Sequence, residues 1–436
     1  MKREEYACTA CRYRSGRWTG FCPQCRAAGT IVEAEVGARD VPEIRAIKDI
    51  RGDASARVPT GMGEIDRVLG GGLVPGGVVL LGGEPGVGKS TLLLQVAGAV
   101  ARAGGSVLVA TAEESADQVA IRAERVGAGV DGVAVLADGD VDRIIRASAD
   151  IRPDLVIVDS IQTVSTLDVD GSPGGVAQVR ECGGRLVATA KRFGIPTVLI
   201  GHVTKDGAIA GPRVLEHTVD VVLYLEGDDG RGLRFVRGLK NRFGAVHQLG
   251  FLEMSEAGLR EVPDPTEILL AGWSGDVPGS VVFPALEGRR PVLVEVQALV
   301  APATTTPARR SAKGFETTRL HQLLAVLERH IGAALATSEV YVSVVGGIRI
   351  REPAIDLAVA VAVMSSWLGR SVNGTVAWGE VGLTGELRSV GQSARRREEA
   401  TRLGFTRILA PEQDPIHLGE ALARVGLAMP RAVRTA

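Results

Sequence analysis

The sequence of 436 residues has no surplus of either charge: 50 Lys and Arg stand against 51 Asp and Glu, a formal net charge of -1. Bulk attraction to a polyanion is thereby excluded, so any contact with nucleic acid has to come from local clusters or loops. Long apolar runs are missing as well. The longest, residues 357–368, is broken by two serines and falls short of the roughly 20 residues that span a bilayer. The opening MKREEYAC has no apolar stretch behind its charges, so no secretory signal is expected, and the chain reads as soluble and cytoplasmic with no membrane partner. There is no fixed-period repeat. Lysine is scarce, with seven in the chain and none after Lys313. Of five cysteines, four lie within the first 25 residues, which in a reducing compartment points to a metal site and not to disulfides.

Those four are spaced Cys8-x2-Cys11 and Cys22-x2-Cys25, with ten residues between the pairs. Each CxxC turns tightly enough to put two thiolates on one tetrahedral ion, the spacing of structural Zn2+ sites, although a rubredoxin-like iron site has the same ligands. Residues 1–30 are therefore expected to form a four-Cys zinc finger. A segment this short has no core of its own, so metal binding would supply its folding free energy, about 10–16 kcal/mol by analogy with zinc-finger peptides. Residues 31–56 are polar and mixed in charge, and read as a linker. The fifth cysteine, Cys182, falls in a predicted helix and reads as a small packed residue.

From residue 57 the texture changes to Gly-rich turns alternating with apolar runs. The runs at 78–81, 107–111, 133–136, 155–159 and 198–201 are short, continuous and mostly β-branched, as parallel strands covered on both faces are. Helical patterns lie between them, for example the stripe Val176, Val179, Leu186, Val187, Ala190 and Phe193. Runs at 219–225, 233–236 and 249–254 come closer together and look like antiparallel additions. This predicts a doubly wound α/β core over 57–264. Pro263 and Pro265 mark a boundary. After it, a strand at 292–300, a polar loop at 301–314, a helix at 318–331, a strand at 340–345, a helix at 353–368, a strand at 378–383 and a helix at 393–403 make a second, α+β region over 265–436.

The stretch Gly83-Glu84-Pro85-Gly86-Val87-Gly88-Lys89-Ser90-Thr91 satisfies G-x4-G-K-[ST], following a predicted strand and opening a predicted helix. Glycines there let backbone N–H groups close on phosphates, and the helix N-terminus adds its dipole. ATP is the expected ligand, with Lys89 on the β- and γ-phosphates and Ser90 on Mg2+. Residues 155–159 form an apolar strand ending in Asp159, the layout of a Walker B acid that holds Mg2+ through water. Glu113, past the strand at 107–111, is placed to activate the attacking water. It and Glu114 are otherwise acids at a helix start.

Lys240-Asn241-Arg242-Phe243-Gly244 follows a strand at the far end of the core. Its cations either reach a phosphate held by a neighbouring subunit or decorate a solvated turn. Taken together, these motifs make the chain resemble the bacterial RadA (Sms) DNA-repair family over essentially its whole length: four-Cys finger, RecA-like ATPase with KNRFG, Lon-protease-like region. The resemblance implies a hexameric ATP-driven translocase on single-stranded and branched DNA, working beside the RecA recombinase. A RecA-type filament that exchanges strands is the alternative. By the same comparison Glu113 matches the catalytic glutamate, Lys240 and Arg242 the trans-acting cations, and His202 a sensor of the γ-phosphate. Loops 164–180 and 203–216 match DNA-contacting loops, the second carrying Lys205 and Arg213.

The Lon-like region departs from a working peptidase, which needs a serine nucleophile beside a neutral lysine. In Glu352-Pro353-Ala354-Ile355-Asp356 the serine position is taken by Ala354, and the lysine position by Ala394, next to Ser393. No lysine follows Lys313. Arg395, Arg396 and Arg397 read as a solvated helix face or as a contact for DNA or ring assembly.

Overall fold

The computed structural model describes residues 6–10, 13–15, 17–23, 25–33, 57–202, 213–227, 232–246, 248–288, 290–304, 306–411 and 417–429. Cys11, Lys205 and residues 34–56 of the expected linker lie outside these. The chain divides into two compact units, Met1–Ser55 and Ala56–Ala436.

In the first unit β1 (Tyr6–Cys8), β2 (Arg14–Ser15) and β3 (Ile31–Glu33) form an antiparallel sheet in the order β2-β1-β3. The sheet thus runs past residue 30, into the segment read as linker. Its core is Cys8, Cys22 and Ile31, with Tyr6 and Tyr13 packed alongside. So few apolar groups bury little surface to set against the chain entropy of a segment this size.

The second unit is built on a nine-stranded sheet. Its strands are β4 (Val78–Gly83), β5 (Val107–Thr111), β6 (Val133–Ala137), β7 (Leu155–Asp159), β8 (Thr197–Ile200), β9 (Val221–Gly227), β10 (Leu233–Asn241), β11 (Leu249–Ser255) and β12 (Gly258–Glu261). The order is β12-β11-β10-β9-β4-β8-β7-β5-β6. Strand alternation divides the apolar side chains between two cores. Val79, Leu81, Val109, Ile157 and Val198 face the helices Gly63–Leu69 and Lys89–Arg102; Val78, Leu80, Leu108, Val156 and Leu199 face Val141–Ile151 and Val176–Phe193. That is the doubly wound arrangement, and it explains why these four strands are almost wholly apolar. β6 departs from expectation: at the edge of the sheet it is only partly buried and not covered on both faces. A second expectation needs correcting. β9 is not an antiparallel addition, because it pairs parallel with β4, and the antiparallel part begins only at β10. Cys182 is fully buried, and burial pushes its thiol up to about 11, as an inert packed residue requires.

Beyond Pro263 a six-stranded sheet carries, in spatial order, Arg310–Lys313, Ser338–Val344, Arg290–Pro302, Ser280–Glu287, Thr375–Ala377 and Arg407–Leu409. Against it packs the helix Asp356–Leu368, buried from Asp356 to Ser365 and apolar on all sides, as a central helix should be. Two expectations fail here. The polar stretch 301–314 is not all loop, since Arg310–Lys313 pairs in parallel with Ser338–Val344 through backbone bonds that composition does not reveal. No strand spans 378–383. Gly379 N donates to Ala354 O (2.8 Å) instead, and Glu380–Val381 leaves for a separate ribbon with Leu387–Arg388.

Candidate nucleotide and metal sites

The parallel order β4-β8-β7-β5 brings four strand ends to one edge, so residues far apart in sequence converge there. The loop after β4 runs from Gly83 to Gly88 into the helix Lys89–Arg102. Gly88 has φ 112°, and a Cβ there would stand 2.6 Å from the Met254 methyl, so only glycine fits. Lys89 is buried and donates to the carbonyls of Gly83 and Glu84, both at 2.9 Å. Burial lowers its pKa, while the negative charges of Asp159 and Glu113 oppose the shift. Arg234, unnoticed in the sequence, donates from Nε to Val87 O at 3.0 Å and so braces the loop from β10.

Asp159 ends β7. Burial raises its pKa, partly offset by a hydrogen bond with Ser90. Its Oδ1 is buried with no hydrogen-bond partner among the described residues. An unsatisfied buried carboxylate oxygen beside the Ser90 hydroxyl fits the donor set of a hard divalent cation such as Mg2+.

Glu113 accepts at Oε1 from the hydroxyl of Ser160, which is fully buried, and His202 Nε2 lies 3.2 Å from the same oxygen. Those bonds, His202's first, hold the Glu113 carboxyl below its ordinary pKa against the opposing effect of burial. Glu114 instead pairs with Arg122. Neither acid sits in the first turn of the following helix. Ser115 is its N-cap, in a capping box with Gln118, so Glu113 is displaced toward β7 and β8. Gln162 adds a further layer by donating to His202 O at 3.2 Å. Ser160 and Gln162 carry no motif, and only the strand order could have pointed to them.

The structure does not bring Lys240 and Arg242 to this edge. β10 runs against β9 and β4, so its end reaches the opposite edge: Lys240 pairs with Val222, which pairs with Leu80. Arg242 N donates to Asp220 O, and Asp220 Oδ2 accepts from Val78 N at 3.1 Å. From Val78 to Gly83 is five residues of strand, roughly 16 Å. Lys240 Nζ donates to Glu216 O (2.6 Å) and Val219 O (2.7 Å), just after the short helix Arg213–Glu216, and burial lowers its pKa. Arg242 Nη1 lies 3.2 Å from Asp220 Oδ1, with its side chain about half exposed. Arg213 opens that short helix. The expected loop 164–180 ends earlier, because residues 176–180 open the helix Val176–Phe193; from that helix buried Gln178 bonds the backbone of Thr166, Val169 and Gly171, and Leu167 is left fully exposed.

In the first unit the sulfurs of Cys8, Cys22 and Cys25 all lie within 4.8 Å of one another, Cys8 and Cys25 at 3.6 Å. Thiolates about 2.3 Å from a tetrahedral zinc stand about 3.8 Å apart, so the three fit one ion. Cys25 N donates to Cys22 Sγ at 3.5 Å, a bond that moderates thiolate charge.

A family model described as an AAA domain matches residues 60–208, the stretch that holds the P-loop, Glu113, Asp159 and His202. The chain is 44% identical to the DNA repair protein RadA of Halalkalibacterium halodurans, over 95% of this chain and 93% of that protein. It belongs to the RadA DNA repair protein family. Other RadA relatives include that of Bacillus subtilis, 43% identical over 94% of this chain and 92% of its own, and that of Mycobacterium tuberculosis strain H37Rv, 44% identical over 96% and 90%. Among solved structures, a KaiC-like protein, PH0186, from Pyrococcus horikoshii OT3 aligns with 48% of this chain and 99% of its own at 22% identity and a TM-score of 0.41. The doubly wound sheet with its P-loop after β4 is a RecA-like ATPase fold, and among the described residues no helix is long and apolar enough to cross a membrane.

In this RadA family member the region after Pro263 has no serine at 354. Ala354 is buried at the start of the central helix, and Ala394 is exposed. Ser393 Oγ accepts from Trp378 Nε1 at 2.8 Å. Lys313 ends the edge strand Arg310–Lys313. Arg396 is not on a solvated face: it is 1% exposed, paired with Glu352 and bonded to Pro284 O. Asp356, fully buried, is paired with Arg319 and accepts from Val381 N at 3.1 Å.

Proposed function

We propose that this chain is an ATP-driven DNA translocase that assembles as a ring, a homo-hexamer, and extends recombination intermediates by branch migration beside the RecA recombinase. The observation that carries the reading is the placement of Lys240 and Arg242 at the sheet edge opposite their own P-loop. Cations there cannot serve the ATP of their own chain, but in a ring of copies each pair can face the P-loop of the next. A trans-acting cation of this kind is worth about 10³–10⁵ in rate.

Within one site, Lys89 and the loop amides hold the phosphates. Glu113, with Oε1 engaged by Ser160 and His202, takes the proton of the attacking water at Oε2. The water oxygen bonds to the γ-phosphorus as the bond to the β–γ bridging oxygen breaks. Mg2+ held near Ser90 and Asp159 would neutralise phosphate charge. Loss of the γ-phosphate is felt by His202 through its contact with Glu113. Lys240, anchored on Glu216 O, ties the neighbour's ATP to the segment carrying Lys205 and Arg213, which we read as DNA-contacting. In the first unit Zn2+ is the ion we assign to Cys8, Cys22 and Cys25, with Cys11 the fourth ligand. The region after Pro263 has Ala354 and Ala394 where a Lon-type peptidase needs serine and lysine, so it serves assembly or DNA contact and not proteolysis.

The test is a branch-migration assay on a three-stranded intermediate, with and without ATP and with RecA added. ATP should accelerate heteroduplex extension, and a Lys89→Ala chain should not. Extension that ignores ATP would refute the motor. Filaments in place of rings, seen by electron microscopy on DNA with ATP, would favour the strand-exchange alternative.

A further inference from the structure

Two large aromatic side chains in the cysteine unit are left in solvent: Trp18 is 61% exposed and Phe21 68%. Neither hangs on loose backbone. Gly29 N donates to Gly20 O and Cys22 N to Ala27 O, both at 3.0 Å, and Phe21 bridges to Ala28. The Trp18 indole N–H is itself tied to Ile31 O at 3.1 Å, which fixes the ring while most of it stays wet. A unit whose core is Cys8, Cys22 and Ile31 is short of apolar burial. Leaving two rings outside forgoes the stabilisation that burying them would bring. Something other than the unit's own stability keeps them there.

Charge indicates what meets them. Between Tyr6 and Val32 every Lys, Arg, Asp or Glu is an arginine: Arg12, Arg14, Arg17 and Arg26. This one-signed stretch sits in a chain of net charge -1. Arg17 and Arg26 are exposed next to the aromatic segment in sequence. Solvent-facing aromatic rings on hydrogen-bonded backbone, with arginines close by in sequence, are the components of a surface that stacks unpaired bases and pairs with phosphates. A duplex hides its base faces and could use only the charge.

We infer that this face of the cysteine unit binds single-stranded nucleic acid, with bases stacked on Trp18 and Phe21 and phosphates met by Arg17 and Arg26. The inference shares with the motor reading only the premise that the chain binds DNA, and it adds a contact outside the ATPase unit.

The test uses the full chain and a fluorescein-labelled oligothymidylate, with metal content measured for every variant so that a lost fold is not mistaken for a lost contact. Trp18→Ala and Phe21→Ala should each weaken binding roughly 5- to 150-fold, the range of one base–aromatic stack. Trp18→Phe should retain most of the affinity yet lose most of the tryptophan quenching that oligothymidylate causes. Trp378 is fully buried and, like Trp273 and Trp367, belongs to the other unit. Arg17→Ala should flatten the slope of log affinity against log salt by about 0.7. If Trp18→Ala with full metal content binds as tightly as the unaltered chain, the inference is wrong while the motor reading stands. The same holds if Trp18→Ala loses only binding to the RecA recombinase, which would make the face a protein-docking surface. An unaltered chain that ignores oligothymidylate overturns both.

Discussion

At the carboxyl edge of the nine-stranded sheet, Asp159 Oδ1, Gln162 Oε1 and His202 Nδ1 are buried without a hydrogen-bond partner among the described residues, and Lys89 is folded back on two carbonyls. Around Ala354 the charges are treated in the opposite way. Asp356 is closed by Arg319 and Val381 N, and Glu352 by Arg396 and Leu286 N. A buried polar atom left unsatisfied costs about 1–3 kcal/mol, so it persists where a ligand or water will complete it. Among the described residues only two other such side-chain atoms occur, Arg67 Nη1 in the helix Gly63–Leu69 and Glu328 Oε1, which lies 3.9 Å from Arg310 Nη2. One region keeps its charges incomplete and ready for substrate. The other has completed them as structure.

The largest effect is expected at the ATP site. Lys240→Ala should bind ATP but hydrolyse it about 10³–10⁵-fold more slowly. Mixing it with Glu113→Gln chains should restore part of the rate, because one kind of mixed interface joins an intact Glu113 to an intact Lys240. Mixed oligomers that stay inactive would show that Lys240 acts within its own chain. Restoration would sharpen the point that a site can be chemically incomplete in one chain and complete in two.

A second pair of variants sets the two regions directly against each other. Arg396→Ala leaves Glu352 without its buried partner and should cost about 3–5 kcal/mol of stability, read as a lowered melting temperature. Lys89→Ala should leave melting nearly unchanged while lowering hydrolysis by about 10²–10³ or more. Reversed outcomes would erase the distinction between a satisfied and a poised charge. A related expectation is that casein and a fluorescent peptide panel, with ATP and Mg2+, show no cleavage above the Lys89→Ala background. Cleavage that copurifies with the chain and disappears in Ser393→Ala would mean that Ser393, bonded to Trp378, is a nucleophile after all.

What could be read beforehand follows the range over which each feature is encoded. The P-loop, the Asp159 strand and the cysteine pairs are local, so spacing alone located them. The parallel strands were legible because burial on both faces makes them apolar throughout. The edge strand Arg310–Lys313 was not, because its pairing is carried by backbone groups and its side chains are polar. Three adjacent arginines look like a solvated face until Glu352, 44 residues away, is found beside the middle one. The position of KNRFG was hidden for a related reason: only the antiparallel turn into β10 sends Lys240 to the far edge. Ser160 could be connected to Glu113 only once β5 and β7 were known to be neighbours.

That last contact supports the smallest and most discriminating test. Ser160 and His202 both engage Glu113 Oε1, and their bonds lower the Glu113 pKa, His202 more strongly. The carboxylate is the active form of the base, so hydrolysis is lost as pH falls through this depressed pKa. Removing a donor lets the pKa rise, and the acid limb of kcat should move to higher pH, further in His202→Ala than in Ser160→Ala. At neutral pH Ser160→Ala should lower kcat about tenfold, the worth of one hydrogen bond to a charged group, with KM for ATP little changed because Ser160 has no bond to the P-loop. In a Glu113→Gln background Ser160→Ala should have no further effect, since there is no carboxylate left to tune. A fall in kcat with an unmoved acid limb, or an undiminished effect in that background, would show that Ser160 supports the fold of the edge and does not position its base.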